Sequence, residues 1–517
     1  MSGETTLGEL IRALARRYGD KPALRFAGET VSFFELDRRA NRIANGLAAA
    51  GVGRGDRVAT IARNHPQHFE LLFATAKLGA VLVPVNWRLA DPEIAWILGD
   101  AAPKAIHAAA PFDERIAALL GASPAAPLLL RGHDFASWRE AQDAADPAIA
   151  VGPDEVAVQL YTSGTTGRPK GAMLTHRNLL VLRTLPPEAQ PAWNRFTDDD
   201  VSLLVMPSFH IGGTGYGLQT LAAGATGLIA QEFRADKVLD FIESERLSKI
   251  FIVPSALQML VQHPRAREVD YSRIRTILYG ASPIPLQLLR EAIATFGCGF
   301  VQMYGMTETC GTICALPPED HDAEGNPRMA SAGKPLAQVE LRILDAAGQP
   351  LPAGEVGEIA VRSPLVMQGY WGRPEDTAQV LSADGWFRTG DAGLLDDDGY
   401  LFLKDRVKDM IVTGGENVYP AEVEAVIGAH PAVAEVAVIG VPSAKWGGEV
   451  KAVIALRAEA AGTEPAAVLA WARERLAGYK LPKSIDLAPA LPRGPTGKIL
   501  RRELRAPYWA GADRQIS

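Results

Sequence analysis

The sequence predicts an α/β protein. A large N-terminal domain of parallel or mixed sheets with helices, carrying a β-rich subdomain, is followed by a small α/β C-terminal domain. Three observations predict this. Helix-period and strand-period segments alternate over the first hundred residues and again from Val156 to about Met303. After Gly333 the texture changes to short strands with turn signals, and from near Arg406 the alternation resumes.

In chain order, Leu7, Leu10, Ile11 and Leu14 fall at helical spacing. Ser32 and Glu35 give the S-x-x-E pattern of a capping box, and the helix they open should stop before Gly51. The stretch Gly51-Val-Gly-Arg-Gly-Asp reads as a turn into a strand at Arg57 to Ala62. A helix at Phe69 to Leu78 and a strand at Ala80 to Val83 follow. Strands are expected at Gly354 to Arg362 and, after the Asp398-Gly399 turn, at Tyr400 to Leu403, in antiparallel structure. The small unit should hold a helix after Pro420, strands at Val433 to Val441 and Val450 to Leu456, and a helix around Ala466 to Leu476. A basic tail ends it.

Composition bounds the function. At 517 residues, 47% hydrophobic and 22% charged, the chain can bury a large core, and it is too apolar to be mainly disordered. Its net charge of −7 argues against a protein whose main task is to neutralise nucleic-acid phosphates. Cys298, Cys310 and Cys314 cannot form a disulfide framework for this length and are read as reduced thiols, which predicts a cytoplasmic setting. No signal peptide and no transmembrane segment are expected.

The most informative stretch is Tyr161-Thr162-Ser163-Gly164-Thr165-Thr166-Gly167-Arg168-Pro169-Lys170-Gly171, after the apolar run Val156 to Leu160. Glycine and hydroxyl residues at a strand end offer backbone N–H groups and hydroxyls to an anion, and Lys170 adds a positive charge. That is chemistry for phosphates. Only two residues separate Gly164 from Gly167, so G-x-x-x-x-G-K-[ST] is not met and a P-loop NTPase is not supported. Gly213, Gly215 and Gly217 miss G-x-G-x-x-G spacing, which argues against a nicotinamide dehydrogenase.

YTSGTTGRPKG resembles the signature phosphate loop of the adenylate-forming enzymes, which include acyl-CoA synthetases such as fatty-acid–CoA ligases, peptide-synthetase adenylation domains and luciferases. The resemblance continues in order through Tyr304-Gly305-Met306-Thr307-Glu308, Arg388-Thr389-Gly390-Asp391, Asp405-Arg406-Val407-Lys408-Asp409 with Gly414-Gly415-Glu416-Asn417, and Pro495-Thr496-Gly497-Lys498. It implies an N-terminal domain of residues 1–405, holding the acyl and ATP sites, and a mobile C-terminal domain of residues 406–517.

It also implies a two-step reaction. A carboxylate attacks the α-phosphorus of ATP to give an acyl-adenylate and pyrophosphate, and the thiol of coenzyme A then displaces AMP. In this reading Lys498 bridges the carboxylate and the phosphate, Glu308 holds Mg²⁺ and Thr307 contacts the α-phosphate. Thr162, Ser163, Gly164, Thr165, Thr166, Gly167 and Lys170 surround the phosphates, with Tyr304 and Gly305 also in the nucleotide site. Gly280, Ala281 and Ser282 line the adenine, Asp391 accepts from the ribose, and Arg406 contacts ribose or phosphate. An Asp391–Arg406 ion pair is a compatible structural alternative. Lys408 matches the hinge, Gly414 and Gly415 the thiol channel, and Trp446 a residue near the CoA nucleotide, for which core packing is an equal reading.

His210, in Ser208-Phe-His-Ile-Gly-Gly, falls where acyl-CoA synthetases keep an aromatic or histidine beside the acyl group. Peptide-synthetase domains place an aspartate in this region, and Ser208 to Gly213 has none, so an acid without an α-amine is favoured. The glycines after His210 and the Cys310-Gly311 pair are read as room for a bulky apolar acyl group: a medium or long fatty acid, or an aryl or cyclic acid. Three rivals stand beside the CoA ligase: a stand-alone enzyme loading a carrier protein, an inert nucleotide-binding protein, and a light-emitting oxygenase, for which the sequence has no distinguishing feature. The expected partners are a small carboxylic acid, ATP and CoA, with no nucleic acid; a homodimer is left open.

Overall fold

A computed structural model describes residues 5–121, 126–162, 168–282, 284–406, 409–413, 416–443, 447–494 and 499–509. The first helix, Leu7–Tyr18, buries the four predicted apolar residues, and Thr6 and Glu9 close a reciprocal capping box ahead of it. The box expected at the second helix, Phe33–Ala49, is only half made. Ser32 accepts the Glu35 amide at 3.1 Å, but the Glu35 carboxylate turns to Arg39, one turn on, at 3.0 Å. A charged partner at i+4 competes with the cap for the same carboxylate.

Two large sheets carry the N-terminal part. The seven-stranded sheet has the parallel strands Val156–Thr162, Val81–Val85, Arg57–Ile61, Ala105–Ala108 and Leu128–Arg131. Lys170–Thr175 and Gly369–Tyr370 extend it antiparallel at one edge. The nine-stranded sheet runs parallel from Gly299–Met306 through Thr276–Gly280, Lys249–Ile252, Val201–Leu204 and Thr226–Ile229 to Pro22–Phe26, with antiparallel strands at both edges. Pro22–Phe26 and Glu29–Ser32 therefore leave the first hundred residues to join a sheet built about 200 residues later. One continuous apolar core spans both sheets.

The texture change after Gly333 is a four-stranded antiparallel sheet of Glu340–Leu344, Gly357–Arg362, Phe387–Leu395 and Leu401–Arg406. Beyond it, Val433–Ser443, Gly447–Leu456 and Ser484–Leu487 form a three-stranded sheet with the helices Pro420–Gly428 and Pro465–Arg473. These enclose a separate core around Ile411, Val418, Val423, Ile427, Val450 and Val468. Among the described residues no helix is long and apolar enough to cross a membrane.

Three histidines are buried in the N-terminal part. His68 meets the Thr214 hydroxyl at 2.9 Å, His107 meets that of Thr60 at 3.0 Å, and His176 Nδ1 accepts the Leu7 N–H at 3.2 Å. Burial disfavours the imidazolium and lowers the three to about 4, about 3 and about 4. Unfolded histidine titrates near 6.5, so below that pH the unfolded chain binds more protons and stability falls. His68 alone would cost about 3 kcal/mol once the pH has dropped below 4. The urea midpoint should hold steady from pH 8 to 7 and decline between pH 6.5 and 4; His68→Gln should flatten that decline.

Candidate active site

The ends of strands from both large sheets converge on one carboxylate. Thr162 ends its strand in the seven-stranded sheet, and its Oγ1 donates to Glu308 Oε1 at 3.0 Å. Glu308 lies in the short turn Thr307–Thr309, directly after Gly299–Met306 of the nine-stranded sheet. The Tyr370 hydroxyl donates to the same Oε1, also at 3.0 Å. Among the described residues nothing donates to Oε2. A carboxylate with one oxygen tied by hydroxyls and the other open has the chemistry of a ligand for a hard cation such as Mg²⁺. No cluster of three or more His, Cys, Asp or Glu exists among the described residues.

The strands on either side of the phosphate-loop motif pair antiparallel, with Thr162 and Lys170 as cross-strand partners. No helix starts directly after it, because Lys170–Thr175 is a strand and the next helix opens at His176. Lys170 Nζ lies 2.7 Å from Asp376 and 5.3 Å from the Tyr370 ring centroid. Tyr370 thus touches the carboxylate by its hydroxyl and the lysine by its ring face. Neither Tyr370 nor Asp376 was singled out by sequence reasoning, since Gly369-Tyr-Trp carries no spacing that points to a ligand.

A second link joins the nine-stranded sheet to the four-stranded one. Tyr304 is buried, and its hydroxyl donates to Asp391 Oδ2 at 2.8 Å. Burial and the Asp391 charge push that hydroxyl well above its ordinary value, so it stays protonated and keeps donating. Asp391 is the cross-strand partner of Arg406. Gly305 is a close approach: a Cβ there would sit 1.8 Å from the Gly311 carbonyl oxygen.

The Ser208 to His210 loop is set by buried Asn64, also missed in the sequence. Its amide donates to the carbonyls of Val205, Met206 and Ala230, and its oxygen accepts the Ser208 N–H. His210 caps the helix Ile211–Ala222, with Nδ1 accepting the Gly212 N–H at 3.1 Å. Three of the four glycines behind it, Gly213, Gly215 and Gly217, do not leave the expected empty room. A Cβ on Gly217 would lie 2.1 Å from Phe69, on Gly215 2.5 Å from Arg183, and on Gly213 2.2 Å from the Pro207 carbonyl oxygen. They are small because other groups already fill that space.

Gly280, at the end of its strand, is small for a similar reason: a Cβ would meet the Met303 carbonyl oxygen at 2.2 Å. Ala281 has a positive φ of 65°, and Ser282 is half-buried. The structure brings Thr162, Lys170 and Glu308 together around Tyr370, with Thr307 next to Glu308 in the chain, and pairs Tyr304, on the strand before Thr307, with Asp391 on Phe387–Leu395. Ser163, Gly164, Thr165, Thr166, Gly167, Lys408, Gly414, Gly415, Trp446 and Lys498 lie outside the described residues, as does the Arg406 side chain.

The profile of AMP-binding enzymes matches residues 11–371, and that of the AMP-binding enzyme C-terminal domain matches residues 422–498. A fatty acid–[acyl-carrier-protein] ligase, ScoC of Streptomyces coeruleorubidus, is 40% identical over 96% of this chain and 95% of its own. A feruloyl-CoA synthase of an Amycolatopsis species is 43% identical over 95% of this chain and 96% of its own. The ATP-bound crystal structure of MatB from Rhodopseudomonas palustris superposes with a TM-score of 0.88 at 34% identity, covering 97% of this chain and 99% of that one. With both profiles matched in order and relatives similar along nearly their whole length, the chain belongs to the AMP-binding enzyme family, the adenylate-forming enzymes whose motifs its sequence resembles.

Proposed function

We propose that this protein is an ATP-dependent carboxylic acid:CoA ligase that forms an acyl-adenylate with release of pyrophosphate, and then an acyl-CoA with release of AMP. The observation that carries this reading is the Glu308 carboxylate, held at one oxygen by Thr162 and Tyr370 beside the paired strands that flank the phosphate-loop motif. Mg²⁺ on Glu308 would neutralise the ATP phosphates. Lys170 and Thr162, with Ser163 to Gly167 between them, would surround the β- and γ-phosphates, and Thr307 the α-phosphate. Asp391, oriented by Tyr304, would accept from the ribose, with Arg406 beside it. Gly280 to Ser282 would border the adenine.

Both reactants of the first step are anions, so donors must offset their repulsion where charge builds at phosphorus. His210 suits one part of this. Because Nδ1 accepts from Gly212, the ring proton lies on Nε2, the tautomer that donates to a carboxylate oxygen. Lys498 would bridge carboxylate and phosphate from the C-terminal domain, residues 406–517. That domain would then turn about Lys408, so that Gly414 and Gly415 line the approach of the thiol and Trp446 meets the CoA nucleotide. The acid we assign is a medium or long fatty acid, or an aryl or cyclic acid. The similarity to ScoC supports a second reading, in which the thiol belongs to an acyl carrier protein; CoA and a loaded carrier offered in parallel separate the two.

Replacing Lys498 by Ala should lower ATP-dependent pyrophosphate release at least about 10²-fold, while a supplied acyl-adenylate is still converted to thioester. Equal loss in both half-reactions would contradict the proposed division between domains. Tyr370→Phe keeps the ring over Lys170 and removes one donor to Glu308, so pyrophosphate release should fall about 5- to 10-fold. An unchanged rate would remove Tyr370 from the site.

A further inference from the structure

The space behind His210 is occupied in part by a guanidinium. Arg183 lies just beyond the helix His176–Leu180 and reaches between the helix Ile211–Ala222 and the Cys310-Gly311 turn. Its Nε donates to the Gly215 carbonyl at 3.0 Å and its Nη1 to the Leu179 carbonyl at 2.8 Å. Its Nη2 donates to the Cys310 carbonyl at 3.3 Å, and Nη1 lies 3.8 Å from the Cys310 sulfur. Burial raises the Cys310 thiol, which stays neutral. Among the described residues, then, the partners of this cation are three carbonyls and a thiol, none of them charged. Four contacts serve a group with five N–H donors.

The surroundings are shaped to admit it. Gly215 sits inside a helix, where glycine is less favourable than alanine, and a Cβ there would lie 2.5 Å from Nη2. On the other side Gly311, at a φ of 104°, is half-exposed, and a Cβ there would meet no clash: its nearest atoms, at ordinary contact distance, would be Ile211 Cγ1 at 3.7 Å and Arg183 Nη2 at 3.8 Å. Gly311 follows Glu308 by three residues, and Ile211 follows His210. An acyl chain whose carboxyl group lies between His210 and Glu308 and which passes beside half-exposed Gly311 would come within contact distance of Nη2.

We propose that Arg183 determines acyl specificity by receiving an oxygen at the end of the acid remote from the reacting carboxylate. The preferred substrate carries a hydrogen-bond acceptor or second anionic group there, as a phenol, an aryl ether or a dicarboxylic acid would, rather than a bare hydrocarbon end. The guanidinium is half-buried and already fixed by carbonyls, so an acceptor gains a charge-assisted bond with little ordering cost. A hydrocarbon end leaves the remaining N–H unpaired. The inference rests on the ligase reading and narrows it.

The test uses the full-length enzyme with ATP, Mg²⁺ and CoA and two pairs of acids: 3-phenylpropenoate with its 4-hydroxy derivative, and octanoate with octanedioate. In at least one pair the oxygenated acid should have a kcat/KM about 10-fold or more above its parent. In Arg183→Met that ratio should fall toward one, with the loss in the KM of the oxygenated acid. In Arg183→Lys, which keeps a charge without the fork, it should be intermediate. A wild-type ratio at or below one in both pairs, or a ratio unaltered in Arg183→Met, overturns the proposal. If Arg183→Met fails to fold, the wild-type ratios and Arg183→Lys decide it in the same way. Pyrophosphate release with the parent acids keeps the two levels apart: its absence with all four acids overturns the ligase reading and this inference together, and its presence without the preference overturns the inference alone.

Discussion

Two sheets that bury their apolar faces in one core still need a polar contact where their strand ends meet, and here that contact is made at Glu308. Its Oε1 takes one hydroxyl from Thr162 in the seven-stranded sheet and another from Tyr370 at that sheet's edge, while its backbone continues a strand of the nine-stranded sheet. The Glu308 carbonyl also accepts the Met367 N–H at 2.8 Å, which anchors the segment leading to Tyr370. A half-buried carboxylate needs donors or a cation to offset lost hydration. Satisfying one oxygen with neutral hydroxyls fixes the group in place without cancelling its charge.

The same economy appears around Lys170. Its register opposite Thr162 brings the residues flanking the phosphate-loop motif to one place. The ammonium rests against Asp376 and the Tyr370 ring. A half-buried lysine of this kind would be costly if unpaired, and Asp376 supplies a partner that an incoming phosphate has to outcompete. Tyr304 plays the complementary part at Asp391: a neutral donor orients the carboxylate and leaves its charge in place.

Local features were legible in the sequence and distant pairings were not. The strand at Arg57, the helix ending at Leu78, the antiparallel strands after Gly333 and the elements after Pro420 rest on short-range periodicity and turn chemistry, and they form close to where those signals lie. The joining of Pro22–Phe26 to Thr226–Ile229 depends on a crossover that no local pattern encodes. Thr162, Lys170 and Glu308 were found because they sit in motifs. Tyr370, Asp376 and Asn64 were missed because they act through contacts with residues 62 to 206 positions away. The glycines after His210 show a further limit. A missing side chain in the sequence does not say whether the space belongs to a substrate or to another residue, and here Phe69, Arg183 and the Pro207 carbonyl hold it.

The proposed two-step chemistry asks one part of the chain to approach a fixed nucleotide and then withdraw, and the distribution of apolar burial bears on that. The core of the two large sheets extends into the four-stranded sheet through Ile343, Ile359, Val361, Phe387 and Leu401, so these elements cannot shift against one another without opening it. Among the described residues, the cluster around Val418, Val423, Ile427, Val450 and Val468 contains none before Ile411. A unit that buries its own apolar faces can turn as a body at the cost of surface contacts alone. The chain passes from one core to the other just after the strand Leu401–Arg406. In the sequence the proposed hinge at Lys408 falls between Arg406, which ends that strand, and Ile411, the first residue of the second core among those described.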